Sequence, residues 1–155
     1  MTTPLVRIVD DDADERSSSS FFLSMMGLEI KEYDSAYRFL EEDDMNRPGC
    51  IILDVRMPDM TGMELQVKLN QKDCRLPIIF LSGHGELDMA VHALKRGASD
   101  FLQKSAKPER LLAAVKKAVT ASMEEYESDN EIDTLRKIYD SLTPRCLLYT
   151  SDAAD

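Results

Sequence analysis

The sequence predicts an α/β domain built on a five-stranded parallel sheet, followed by a C-terminal helical extension. Three observations carry that expectation. Five short apolar runs alternate with five amphipathic stretches, the pattern of strands joined by right-handed crossover helices. Three of the runs are apolar almost throughout, as strands covered on both faces must be. The second and fifth are more polar, as the edges of a sheet are. Edges at positions two and five give the order 2-1-3-4-5, which opens a crevice at the carboxyl ends of strands one and three.

The elements follow in order. Leu5-Val6-Arg7-Ile8-Val9 is the first strand. Asp14 to Met26 is a helix with Phe22, Met25 and Met26 on one face and Gly27 as its stop. Ser17 to Ser20 are weak helix formers, so this helix has the least support from propensity. Leu28 to Tyr33 begins with strict alternation, suiting an edge strand partly open to water. Ala36 to Glu42 forms a helix able to bury Ala36, Phe39 and Leu40. Ile51-Ile52-Leu53 is the third strand, and Gly62 to Gln71 the third helix, with Leu65 and Leu69 one turn apart. Pro77 to Leu81 is the fourth strand. Asp88 to Arg96 is a helix offering Ala90, Val91 and Leu94 to the core before Gly97. Ser99 to Leu102 is the short fifth strand. From Pro108 onward a helix repeats Leu111, Leu112, Val115 and Val119, with proline suited to the first turn. The doubly wound arrangement is flavodoxin-like.

Composition narrows the function classes. A 43% hydrophobic and 31% charged chain of 155 residues fits one globular domain with an appendage. No apolar stretch is long enough to span a bilayer, and the N-terminus lacks a signal-peptide pattern, so no membrane role is expected. Cys50, Cys74 and Cys146 have no framework spacing, which points to a reduced, cytoplasmic chain. A formal charge of −10 argues against this segment binding nucleic acid by itself. No GxxxxGK phosphate loop occurs.

The chemistry gathers at strand ends. Asp10-Asp11-Asp12 follow the first strand, and Asp54 ends the third. Two like charges about 4 Å apart repel by roughly 4 kcal/mol at an effective dielectric near 20. Such a cluster persists when one carboxyl keeps a proton or a cation sits between them. Oxygen-only ligands with room for water suit Mg2+, with Asp11 and Asp54 as direct ligands, Asp10 through water, and the backbone carbonyl of Arg56 completing the set. The plainer reading, capping or loop aspartates, suits Asp12 and Asp14. Ser82 and Lys104 end the fourth and fifth strands; singly they read equally as a strand-end hydroxyl and a surface charge. Beside the acidic cluster they suit phosphoryl transfer onto a carboxylate, with Asp54 as nucleophile. The Arg56 side chain reads as a solvated rim cation or as a screen over the acceptor. His84 and His92 read as loop and helix-surface residues.

IVDDD, ILDVRMPDMTG and IIFLSGHGELDMAVHALKRGASDFLQK together resemble a response-regulator receiver domain, from about Pro4 to Ala121. The GHGELDMAVHALKRGA segment is similar to the FixJ-like subfamily of two-component transcriptional regulators. The resemblance implies a signalling domain rather than an enzyme in the ordinary sense, with slow autodephosphorylation at most. It implies phosphorylation of Asp54 by a partner histidine kinase with Mg2+, Asp10 and Asp11 as the acidic pair, and Lys104 at the phosphoryl group. Ser82 becomes the switch hydroxyl and Phe101 the switch aromatic, although Phe101 reads equally as a plain edge-strand core residue. The switched surface of helix four, strand five and helix five would control homodimerisation. One departure is Lys104-Ser105, where the family usually has Lys-Pro with a cis bond. A cis bond before serine costs about 2.5–4 kcal/mol, so either the bond is trans and Lys104 shifts or its surroundings hold the strained isomer. A haloacid-dehalogenase-like phosphatase, the enzymatic rival, would carry a second acid where Arg56 stands.

Residues 1–121 are thus expected as a receiver and 122–142 as a helical linker. The linker opens with the acidic Glu124 to Glu131, then spaces Ile132, Leu135, Tyr139 and Leu142 as a short heptad seam. Ser141-Leu142-Thr143-Pro144-Arg145 resembles the entry to a LuxR-type helix-turn-helix domain, so 143–145 are expected as its stub, with DNA contacted only through that missing domain. Residues 146–155 read as the translation of a sequencing-library transposon adapter and carry no fold expectation. A stand-alone receiver docking protein partners is the alternative output.

Overall fold

The structure, a computed structural model, describes residues 2–83 and 86–154, with side chains as far as Ser141. The elements run β1 (Leu5–Val9), α1 (Ala13–Met25), β2 (Glu29–Tyr33), α2 (Ala36–Glu42), β3 (Gly49–Asp54), α3 (Gly62–Gln71), β4 (Ile78–Ser82), α4 (Leu87–Lys95), β5 (Asp100–Gln103) and α5 (Pro108–Ala154). All strand pairs are parallel and the order is β2-β1-β3-β4-β5, as expected.

Alternation along the strands sorts the core into two layers. Val6, Ile8, Cys50, Ile52, Ile79 and Leu102 face α1 and α5, where Leu23, Leu111 and Val115 meet them. Val9, Ile51, Leu53 and Phe80 face the opposite way, against Phe39 of α2, Leu65 and Leu69 of α3, and Ala93 of α4. The sheet is therefore doubly wound, and its carboxyl edge stays open for chemistry.

α1 forms despite its serine run because Asp12 caps it, one carboxylate oxygen accepting the N–H groups of Asp14 at 3.0 Å and Glu15 at 3.2 Å. Its buried face differs from expectation. Leu23 is fully buried with Phe22 partly so, while Met25 and Met26 are 67% and 47% exposed. The chain leaves the helix at Gly27, φ +87°, and Leu28 N–H returns to the Leu23 carbonyl, which turns the last two methionines off the sheet.

α4 also departs from its expected face. Ala93 is buried, Ala90 only partly, and Val91 and Leu94 lie 55% and 48% exposed beside Leu87 at 67%. The small Ala93 lets α4 approach α3 closely enough for the Gln66 amide to donate to its carbonyl at 2.9 Å. Asn70 of α3 donates to the Arg96 carbonyl at 3.0 Å, so two amides hold the C-terminal end of α4.

Arg7, inside the apolar run of β1, is fully buried. Its Nε meets Asp43 Oδ2 at 3.1 Å, and its other nitrogens donate to the carbonyls of Leu5 and Arg47. Tyr33 donates its hydroxyl to the same Asp43 oxygen at 2.7 Å, and Met45 N–H donates to the other oxygen. A buried charge is tolerable only when every hydrogen-bonding site is met in this way.

α5 packs on the sheet through Leu111, Val115, Ala118 and Val119. Ser122 is buried and accepts the Gly49 N–H at 3.0 Å, tying the helix to the start of β3. The chain divides into a unit over Met1–Met123 and a second over Glu124–Asp155. In the second, Ile132, Leu135, Ile138 and Tyr139 are exposed along the helix. The Leu142 side chain, those of Cys146 to Asp155, and His84 lie outside the described residues. Among the described residues no helix is long and apolar enough to cross a membrane.

Candidate functional site

Parallel register delivers the site. Val9 pairs with Leu53, Asp54 with Leu81, and Ser82 with Gln103, so Asp10, Asp54, Ser82 and Lys104 all emerge at one edge of the sheet. Asp10 N–H donates to the Tyr33 carbonyl, and one Asp10 carboxylate oxygen accepts the Asp12 N–H at 2.9 Å. Lys104 N–H donates to the Ser82 carbonyl at 2.7 Å, which registers the lysine against the fourth strand.

Asp54 is fixed from behind by α3. Thr61 caps that helix reciprocally with Glu64, and Gly62 N–H donates to the Val55 carbonyl at 2.9 Å. A Cβ at Gly62 would stand 2.2 Å from the Asp54 carbonyl oxygen, so only glycine fits there.

Asp10 and Asp54 are buried, Asp11 is exposed, and single carboxylate oxygens of all three lie within 4.8 Å of one another. Lys104 Nζ sits 3.2 Å from Asp54 and 3.7 Å from Asp10, and it also pairs with Glu15 of α1. Burial, then the neighbouring Asp10 charge, pushes the Asp54 carboxyl up to about 7, against the pull of Lys104. Asp10 is raised as well, mainly by burial, although the Asp12 N–H and Lys104 oppose it. For Lys104, burial favours the neutral amine, but the Glu15 hydrogen bond and the charges of Asp10 and Asp54 outweigh it and hold the ammonium. Two carboxyls that resist ionisation while sharing one lysine are short of positive charge. An all-oxygen set with one exposed member is the chemistry a hard divalent cation such as Mg2+ fits.

Ser82 is buried, and among the described residues its hydroxyl makes a long contact, 3.5 Å, to the Leu102 carbonyl. Phe101 is half-buried, tilted 37° against Phe80 with ring centroids 5.8 Å apart. The described chain contains no cis peptide bond, so Lys104-Ser105 is trans, and Ala106 N–H closes a turn onto the Gln103 carbonyl at 2.9 Å. That turn accommodates the pair without proline and leaves Lys104 over Asp54. His92 is exposed on α4.

Two participants escape sequence reasoning. Glu15 reaches Lys104 because the first turn of α1 overhangs the crevice, a position that only the cap at Asp12 hints at. Glu86, just before α4, is 5% exposed; it accepts Gly83 N–H at 3.1 Å and pairs with Arg56 Nε at 2.5 Å. The Arg56 side chain, 74% exposed, is thus a rim cation engaged across the mouth of the site.

The chain is similar to known proteins in sequence and in fold. The profile described as the response regulator receiver domain matches residues 6–116. Response regulator protein TmoT of Ectopseudomonas mendocina is 40% identical over 141 residues, covering 91% of this chain and 64% of TmoT. Transcriptional regulatory protein FixJ of Azorhizobium caulinodans is 35% identical over 140 residues, covering 90% and 66%. Among solved structures, response regulator StyR aligns with a TM-score of 0.87 at 36% identity, covering 93% of this chain and 73% of StyR. The FixJ-N crystal structure aligns with a TM-score of 0.72 at 38% identity, covering 77% and 96%. The chain spans less than two thirds of the length of TmoT. Strand order, acidic crevice and these likenesses agree, and the chain belongs to the response regulator receiver domain family.

Proposed function

We propose that Asp54 accepts a phosphoryl group from a phosphohistidine on a partner histidine kinase, with Mg2+ held by Asp10, Asp11, Asp54 and the Arg56 backbone carbonyl. The observation that carries this reading is a buried Asp54 carboxylate meeting Lys104 at 3.2 Å beside two further aspartates. Bound Mg2+ supplies the positive charge that ionises the cluster and offsets the incoming phosphoryl oxygens. Asp54 attacks phosphorus through one carboxylate oxygen; the P–N bond to the donor imidazole breaks, and the imidazole leaves with its electron pair and takes up a proton. Lys104 places its ammonium where the phosphoryl charge arrives, and Glu15 holds that ammonium in place.

Ser82 then turns its weakly held hydroxyl from the Leu102 carbonyl to a phosphoryl oxygen, and Phe101 follows into the vacated space. The exposed Leu87, Val91 and Leu94 of α4 support a homodimer surface that this shift selects. A cleft of about 330 Å³ between α1 and the start of α5, floored by Phe22, Leu81, Leu102 and Leu111 and rimmed by Lys104, supports docking of the kinase beside the acceptor.

In this reading residues 1–121 serve as the receiver, 122–142 as a helical linker and 143–145 as the start of a DNA-binding domain, and no role is assigned to 146–155, whose sequence resembles a translated adapter. The likeness to the transcriptional regulatory protein FixJ supports transcriptional output, and cysteines without framework spacing support a cytoplasmic setting. Acetyl phosphate with Mg2+ tests the chemistry: the wild type takes one phosphoryl group and Asp54→Asn takes none. Labelling of Asp54→Asn at the wild-type rate overturns the assignment.

A further inference from the structure

The mouth of the crevice carries a contact that the acceptor chemistry alone does not require. β3 and β4 are neighbours, with Asp54 opposite Leu81, so the segments leaving them start side by side. Across that gap Arg56, two residues beyond Asp54, meets Glu86, the residue before α4. The pair is lopsided: the arginine side chain is 74% exposed and the glutamate 5%. An exposed arginine gains little from such a pair, whereas a buried carboxylate depends on it. The other Glu86 oxygen accepts the N–H of Gly83, the residue after Ser82. One carboxylate thus ties together the acceptor segment, the position beside Ser82 and the first turn of α4.

We propose that Glu86 is a positioning residue that retains Arg56 in the resting receiver, and that capture of Arg56 by a phosphoryl group on Asp54 frees Gly83 and the start of α4. The inference rests on Asp54 being the phosphoacceptor. A phosphoryl group offers a guanidinium more charge and more acceptor oxygens than a single carboxylate does. Once Arg56 changes partner, Glu86 is left buried with the Gly83 N–H as its hydrogen-bond donor among the described residues, and it gains by moving to water. That movement loosens the N-terminal end of α4, while Gln66 and Asn70 keep their hold on its C-terminal end. Charge on one strand tip becomes a tilt of the helix that carries Leu87, Val91 and Leu94.

The test uses the full chain, the variants Glu86→Gln and Arg56→Met, and their combination. Neither change removes the Arg56 backbone carbonyl. In the wild type, beryllofluoride with Mg2+ should speed hydrogen exchange of the Gly83 amide. Glu86→Gln should take label from acetyl phosphate about tenfold faster than wild type, as a coupling of ordinary size gives. In the Arg56→Met background the same substitution should change the rate by less than about twofold, the margin within which independent sites add. If Glu86→Gln does not fold, Arg56→Met alone decides, because its Gly83 amide should exchange fast before any beryllofluoride is added. A Gly83 amide indifferent to both beryllofluoride and Arg56→Met overturns the inference, as does an equal effect of Glu86→Gln in both backgrounds. Either result would leave labelling of Asp54 intact. A wild type that takes no label overturns the phosphoacceptor reading itself, and this inference with it.

Discussion

Single residues set the pH behaviour of the domain. Burial and then the Asp10 charge disfavour the ionised form of Asp54 and push its carboxyl from the ordinary 3.8 up to about 7. A raised carboxyl destabilises the fold as it ionises, so metal-free protein should lose stability between about pH 4 and pH 7 on this account. Asp54→Asn should flatten that part of the profile and melt higher than wild type at pH 8 without divalent ions, as thermal scans will register. Asp43 has the opposite sign. Burial raises it, but the Tyr33 hydroxyl, Arg7 and the Met45 N–H together draw it below 3.8. Its stabilisation is present above the unfolded value and disappears as the pH falls through the depressed one. Asp43→Ala should cost about 3–5 kcal/mol in urea unfolding at pH 7, since it strands Arg7 without its partner. The site aspartates were legible in the sequence because they interrupt apolar runs at strand ends. The Arg7 triad was not, because one arginine in an apolar strand gives no sign of a partner 36 positions away.

At the scale of elements, local signals competed with packing. α1 has a poor sequence for a helix and is rescued by its cap, so Asp12→Ala should lower stability by about 1 kcal/mol in denaturant titration. The strands were readable almost to the residue, since near-continuous apolar runs between turn signals admit little else. Helix faces were less readable. In α4 Leu87, Val91 and Leu94 point outward while Ala93 is buried and Met89 packs in part against the core, a choice made by the closeness of α3 and invisible to a count of hydrophobic residues. The outward stripe yields its own prediction. Val91→Asp should abolish dimer formation in beryllofluoride, followed by sedimentation, while the labelling rate of Asp54 stays at the wild-type value. A dimer that survives this change would remove α4 from the interface.

For the molecule as a whole, a net charge of −10 makes any divalent cation favourable in a diffuse way, and a specific site has to be separated from that background. Mg2+ at a hundred times its Kd should stabilise the fold by about 2.7 kcal/mol through mass action. Asp11→Ala should erase the resulting rise in melting temperature, and sodium at matched ionic strength should not reproduce it. The order 2-1-3-4-5 was legible because the two more polar strands suit the edges, and the adjacency of strands one and three in it brings the aspartates together. Lys104 was harder to place, since the missing proline left its backbone open until the turn from Gln103 to Ala106 was seen. Gly62 carries a last consequence. With no slack between the first residue of α3 and the carbonyl of Asp54, that flank behaves as an anvil. Strand three and its helix receive a blow as one block. If Asp54 takes the proposed group, the strain should be absorbed across the crevice, by strands four and five, so that a mark made on one tip is read on a distant face.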